Sequence, residues 1–305
     1  MSTAQDLITS AKNFEASNVE YKPAKVDSRG GKRVQFKLNG NPLVLSIPLM
    51  FTWGMNERVD ESSGRVSYDV SIVFEEDKSK SIRDFCSKLK DLENKILDDA
   101  AGPKAKEWFG KAKQSREVAE AMMYPILKYP KDKQTGEPDK NRDPSLKLKV
   151  PYWEGNFNVE LYNMEGSAVF LPPKEGQEMP QGDKTPIDFV PSKSYIKGLI
   201  ACDGIWMAGG RFGVTWKLLQ AQVKPPVNLT GTGVCHILAD DDDDELLGKI
   251  DDGAKESKEE TTEQTVNFSD GEDGEDDDKS DEAEEPVPKP KKKVVKRKKA
   301  AAAAT

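Results

Sequence analysis

Apolar and polar residues alternate through much of the first 75 positions. In RVQFKLNG, Val34, Phe36 and Leu38 alternate with Arg33, Gln35 and Lys37. In SSGRVSYDVSIVF, Val66, Tyr68, Val70, Ile72 and Phe74 stand opposite Arg65, Ser67, Asp69 and Ser71. A period of two, bounded by Asn-Gly and Ser-Gly turns, predicts half-buried strands. LVLSIPLMFTWGMNE, between them, predicts a more buried strand pair or one strand with a bend.

The period changes at 78–100. Ile82, Phe85, Leu89, Leu92 and Ile96 recur three or four apart among Lys, Asp and Glu, which predicts an amphipathic helix. AGPK at 101–104 ends it and opens a second helix, about 103–123, carrying Trp108, Phe109 and Val118. The β pattern then returns. Short segments at 124–129 and 145–150 flank a polar loop at 131–144, followed by NFNVELYN and SAVFLPP. After a loop at 172–186, two strong strands close the pattern, joined by Gly209-Gly210, which supplies the positive φ of a tight hairpin. The expected fold is mainly β (α+β): an elaborated OB-like β-barrel over 21–238 with a helical insertion at about 78–123. Residues 1–20 read as a flexible N-terminal arm.

Charge divides the chain further. The 305 residues have a mean hydropathy of −0.71 and a net charge of −8, but the charge is segregated. Residues 240–285 hold 23 Asp/Glu against 4 Lys, and 286–305 hold 7 Lys and Arg297 with no acid. The remainder is mildly basic. Residues 239–285 are expected to be a disordered acidic tail and 286–305 a basic tip, since neither can bury enough apolar surface to offset chain entropy. KPKKKVVKRKK in the tip fits a nuclear localisation signal or a DNA contact. The acidic tail could dock partner proteins or compete with nucleic acid for a basic groove, and Ser269 and Ser280 stand in acidic contexts that suit phosphorylation.

Residue supply argues against an enzyme. His236 is the only histidine and lies beside the tail, so Ser-His-Asp or Cys-His chemistry lacks its base. No P-loop is present, and GGRFG lacks the spacing of a dinucleotide loop. Cys86, Cys202 and Cys235 show no CxxC spacing, which fits a reducing compartment and gives no metal set. No cofactor or metal is expected. The segment MSTAQDLITSAKNFEAS has no apolar core, and no apolar run approaches the length of a membrane span. A soluble intracellular protein with no membrane partner is expected.

Aromatics interleaved with bases remain: GRVSY, KYPKDK, KLKVPYW and RFGVTWK. Single-strand binding needs this combination, cations for phosphates and rings for base faces. The candidate contacts are Arg33, Lys37, Arg65, Tyr68, Lys128, Tyr129, Lys147, Lys149, Tyr152, Trp153, Trp206, Arg211 and Lys217. In the last strand Phe212, Val214, Trp216 and Leu218 share a face and are expected to be buried, leaving Arg211, Gly213, Thr215 and Lys217 toward the ligand. Trp206, before the turn, is the candidate outward ring.

Three stretches, LVLSIPLMFTWGMNE, YPILKYPKDK and GIWMAGGRFGVTWKLLQAQV, resemble the OB-fold single-stranded-DNA-binding proteins of nucleocytoplasmic large DNA viruses. The resemblance implies a sequence-independent protein that protects unwound DNA in viral replication or repair. It would act in the host nucleus or a cytoplasmic viral factory and meet replication proteins through its acidic tail. The basic, Ala-capped tip departs from that pattern. RNA binding and self-association on DNA stay open. So do three rivals: a virion or chromatin-like structural protein binding duplex through the tip, an adaptor binding basic proteins through the acidic tail, and a metal-dependent nuclease built on Asp/Glu alone.

Overall fold

The computed structural model describes residues 4–28, 30–110, 113–174, 180–230, 233–238, 240 and 242–256. The chain divides into two units between Val234 and Cys235. The larger is built on five main strands: β1 (Met50–Val59), β2 (Val66–Val73), β3 (Ser145–Val150), β4 (Ser194–Ala208) and β5 (Arg211–Lys224). β1 pairs with β2 and β2 with β3, both antiparallel. β3 runs parallel to β5, and β5 and β4 form a long antiparallel hairpin through Gly209 and Gly210, both at positive φ as the sequence predicts.

Pairing between β4 and β1 completes a ring, but two of its links are short. β3 meets β5 at Leu148–Trp216 and Lys149–Lys217, and β4 meets β1 over Ser194–Ile196 against Met50–Thr52. Further along, β4 leaves β1 for two short strands, pairing Leu199–Ala201 with Val44–Ser46 and Ile205–Met207 with Lys32–Val34. The fold is thus mainly β with a helical insertion, as expected, but the large sheet is not closed as a barrel. Its longest strand outruns its ring neighbour and is covered by added strands.

The inward rows follow the predicted alternation. Val70, Ile72 and Phe74 of and beside β2, Leu146, Leu148 and Val150 of β3, and Phe212, Trp216 and Leu218 of β5 are all buried. Each such side chain contributes roughly 1.5–3 kcal/mol through burial. Val34, Phe36 and Leu38 are buried too, although the chain turns a corner at Gln35, so that Phe36–Leu38 joins a separate three-stranded sheet with Val19–Tyr21 and Asn41–Pro42.

The insertion begins with α1 (Lys80–Ala101), started by the Ser79 hydroxyl, which accepts from the Ser81 N–H. Its five predicted apolar positions are buried, and the Phe85 ring lies 5.4 Å from that of Phe74. The expected second helix is two short ones, α2 (Ala105–Phe109) and α3 (Arg116–Met122). Gly110, in the left-handed region, ends α2, and Ser115 caps α3.

Residues 4–20, expected as a flexible arm, instead pack on the body. Phe14 is wholly buried, Thr9–Ser10 pairs with Leu45–Ser46, and Glu15 meets Lys88 of α1 at 2.5 Å. The apolar residues spaced through this polar stretch are the cause. The second unit holds a helix, α4 (Asp243–Glu256), inside the stretch expected to be disordered; Lys249 and Glu245 pair across one turn at 2.8 Å. Most of the acidic tail and all of the basic tip lie outside the described residues.

Candidate nucleic-acid interface

The outward row of β2 is Ser67, Asp69, Ser71 and Val73, and that of β3 is Lys149, Lys147 and Ser145. In register, Lys149 stands opposite Asp69, Lys147 opposite Ser71 and Ser145 opposite Val73. Residues 123–128 bridge the opening between β3 and β5. Met123–Tyr124 pairs with Phe212–Gly213 at one end, and Leu127–Lys128 with Ser145–Leu146 at the other. The cleft so formed has a volume of about 550 Å³. Its lining includes Arg65, Asp69, Tyr124, Lys128, Lys147, Lys149, Trp206 and Thr215.

The cations fall into two groups. Arg58 Nε and Lys147 Nζ both donate to Asp69 Oδ2, at 2.5 and 2.7 Å. That carboxylate is buried although it faces outward, because the two cations cover it, and its Oδ1 has no hydrogen-bond partner. Lys128 stands beside them with its pKa lowered, first by burial and then by Lys147 and Arg58. In the second group Lys217 pairs with Asp203 at 2.6 Å. Lys149 next to it is lowered by burial, then by Arg65 and Lys217, with a smaller contribution from Arg33. Positive charge exceeds the resident acids in both groups. An added phosphate would relieve the repulsion between the cations.

Two rings face the cleft beside these cations. Trp206, half-buried on β4, lies 5.5 Å from Tyr124 between centroids, tilted by 39°. The pair can come this close to the sheet because β5 has Gly213 beneath; a Cβ there would sit 3.0 Å from Trp206 Cζ2. Arg211 stands over the Tyr124 ring at 5.7 Å and donates to the Ala121 carbonyl at 3.3 Å. Phe212 and Trp216 point the other way into the core, as the alternation predicts.

Of the candidate contacts, Arg65, Lys128, Lys147, Lys149 and Trp206 line this one cleft, with Arg33, Arg211 and Lys217 beside it. The other five do not offer a side chain to it. Tyr68 borders the cleft but is buried. Its ring meets those of Tyr152 at 4.8 Å and Phe157 at 4.6 Å, and its hydroxyl donates to Glu57 at 2.8 Å. Its pKa is pushed up to about 12, by burial first and then by Glu57. It shares a face with Val70 and Ile72, which explains why it packs inward. Tyr152 belongs to the same ring cluster, and Trp153 is exposed on a separate small hairpin with Asn156. Lys37 lines another hollow, with Cys202 and Asp203. Tyr129 lies just past Lys128, in a neighbouring cleft.

The sequence reading passed over Arg58, Asp69 and Tyr124. Arg58 and Asp69 look like ordinary outward strand positions, and only the β1–β2 register brings them together. Tyr124 carried a signal, since it precedes the aromatic and basic segment PILKYPK. Among the described residues no group of three His, Cys, Asp or Glu is placed to hold a metal ion, and no helix is long and apolar enough to cross a membrane.

No protein-family model and no curated protein matches the chain. Solved structures that resemble it include the single-stranded DNA-binding protein from bacteriophage Enc34 in complex with ssDNA, with a TM-score of 0.35 and 12% identity, over 70% of this chain and 96% of that one. The same phage protein in another structure gives 0.32 and 15%, over 74% and 99%. The gp2.5 single-stranded DNA-binding protein encoded by bacteriophage T7 gives 0.31 and 11%, over 65% and 99%.

Proposed function

We propose that the chain binds single-stranded DNA without regard to sequence, along the cleft above the β2–β3 ladder. The likeness to the phage proteins is too slight to carry this reading. It rests on one observation: Arg65, Lys128, Lys147 and Lys149 line the same cleft as the Trp206–Tyr124 pair. The cations take phosphates, and the half-exposed rings take base faces, which are open to stacking only in an unpaired strand. No base edge need be read. The role is non-enzymatic: protection of unwound DNA during viral replication or repair, in the nucleus or a viral factory, with replication proteins meeting the acidic tail.

Tryptophan fluorescence of the full chain tests this. Of the five tryptophans, Trp108 and Trp216 are buried, so quenching by ligand reports on exposed rings. Oligo-dT is expected to quench strongly and duplex of equal charge weakly, with Trp206→Ala removing much of the signal. Log affinity should fall with log salt by about 0.7 per phosphate contact, and Lys149→Ala should remove about one such contact. Equal binding of duplex and single strand, with the response intact in Trp206→Ala, would overturn the reading.

A further inference from the structure

Trp53 is 61% exposed in the middle of a strand whose neighbours are buried. It stands on the outward row with Phe51, and a bulge begins at it. β1 pairs Thr52 with Ile72 and Met55 with Val70, so Trp53 and Gly54 together face Ser71. The bulge is firmly built. Gly54 lies at φ +94°, and a Cβ on it would meet Ser192 N at 2.9 Å and the Val190 carbonyl oxygen at 3.0 Å. The buried Thr52 hydroxyl accepts from the Gly54 N–H at 3.1 Å and donates to the Ser71 carbonyl at 2.8 Å, while the Met55 N–H reaches the Val190 carbonyl at 3.0 Å. The extra residue returns Met55 to the core side, while Trp53 stays on the outward face with Phe51, turned toward solvent. Its ring rests edge-on against Phe51 at 4.9 Å, and Phe51 edge-on against Tyr195 at 5.5 Å, which holds it upright.

This ring lines a second cleft, of about 750 Å³, with Phe51, Ser71, Val73, Tyr129, Arg142 and Ser145 among its walls. The two clefts are consecutive. The first takes Ser67, Asp69, Lys147 and Lys149 from the outward rows, the second takes Ser71, Val73 and Ser145. Lys128 lines both, with Tyr124, Pro125 and Ile126 in the first cleft and Tyr129 and Pro130 in the second.

We propose that the Trp53 cleft is a second base-stacking subsite for the same single strand, entered past Lys128 from the Trp206–Tyr124 cleft. This rests on the single-strand reading given above. Charge sets the division of labour. Glu75, Asp77 and Asp143 line the second cleft with Lys128 and Arg142, and Glu75 already pairs with Lys78 at 2.7 Å. The first cleft therefore holds phosphates as well as bases, and the second holds a base with little grip on its phosphate. The Trp53 contact is one of stacking, with little dependence on salt.

The test uses the full chain with Trp53→Ala, Trp53→Phe and Trp206→Ala, titrated with dT oligomers of about 4 and about 16 nucleotides, the range of site sizes for one such domain. Trp53→Ala is expected to weaken the long oligomer by about 5- to 150-fold and leave the short one unchanged. That range is one stacked base of about 1–3 kcal/mol. Its salt slope should match the parent's, and Trp53→Phe should recover much of the loss. Thermal melting checks that the variants fold. If Trp53→Ala changes neither oligomer while Trp206→Ala weakens both, the second subsite is overturned and the single-strand reading stands. Equal weakening of both lengths by Trp53→Ala also overturns a consecutive subsite. If neither tryptophan matters, both proposals fall together.

Discussion

Lys128 and Lys149 are held below the ordinary lysine value by burial first and by neighbouring cations second. A bound phosphate favours their protonated forms. Affinity for oligo-dT should therefore fall as pH rises, starting earlier than unperturbed lysines near 10.4 would dictate. Dissociation constants measured from about pH 7 to about pH 10 should show this. Lys149→Arg, which stays charged throughout that range, should flatten the profile. Gly213 gives a second residue-level prediction. A Cβ there presses on Trp206 at 3.0 Å, so Gly213→Val should push the indole off Tyr124. A strand tolerates valine, so melting should change little, while quenching by oligo-dT drops and affinity falls by about 1–3 kcal/mol.

At the scale of elements, the bridge over 123–128 connects the helical insertion to the cleft. Glu93 of α1 accepts the Ile126 N–H at 2.5 Å, between the Tyr124 and Lys128 positions. Burial raises the carboxyl pKa of Glu93, while the N–H donors of Ile126 and Leu127 oppose that shift. Glu93→Ala leaves those donors without this acceptor. It should cost about 1–3 kcal/mol in urea unfolding and also weaken oligo-dT, because Tyr124 and Lys128 lose their support. The strands and α1 were legible in the sequence because each has a one-face period that survives into the fold. The break between α2 and α3 was not, since Gly110 acts through a left-handed turn that periodicity does not report. The cleft was legible in part. Lys147, Lys149 and Lys217 stood on outward rows by alternation alone, whereas Arg58 joins them only through pairing across β1 and β2. Tyr68 misled because a ring three residues from Arg65 looks like a ligand contact, although the face it shares with Val70 and Ile72 turns it inward.

For the whole molecule, the body to Val234 holds the cleft, and the segregated charge lies beyond it. Deleting 286–305 from the full chain should therefore retain most single-strand affinity in filter binding or fluorescence. A protein working through its basic tip would lose it. Deleting 240–305 removes far more acid than base and should speed association with oligo-dT at low salt, an advantage that fades as salt rises.

The ring of strand pairings also determines when the cleft can exist. Its floor needs β2 to find β3 across the whole helical insertion, and its aromatic end needs Trp206 and Gly213, which come late in the chain. Contacts so distant in sequence form slowly and together. A chain emerging from the ribosome thus has no groove until β5 has been made, and the unfinished protein offers no stacking platform to the messenger RNA beside it.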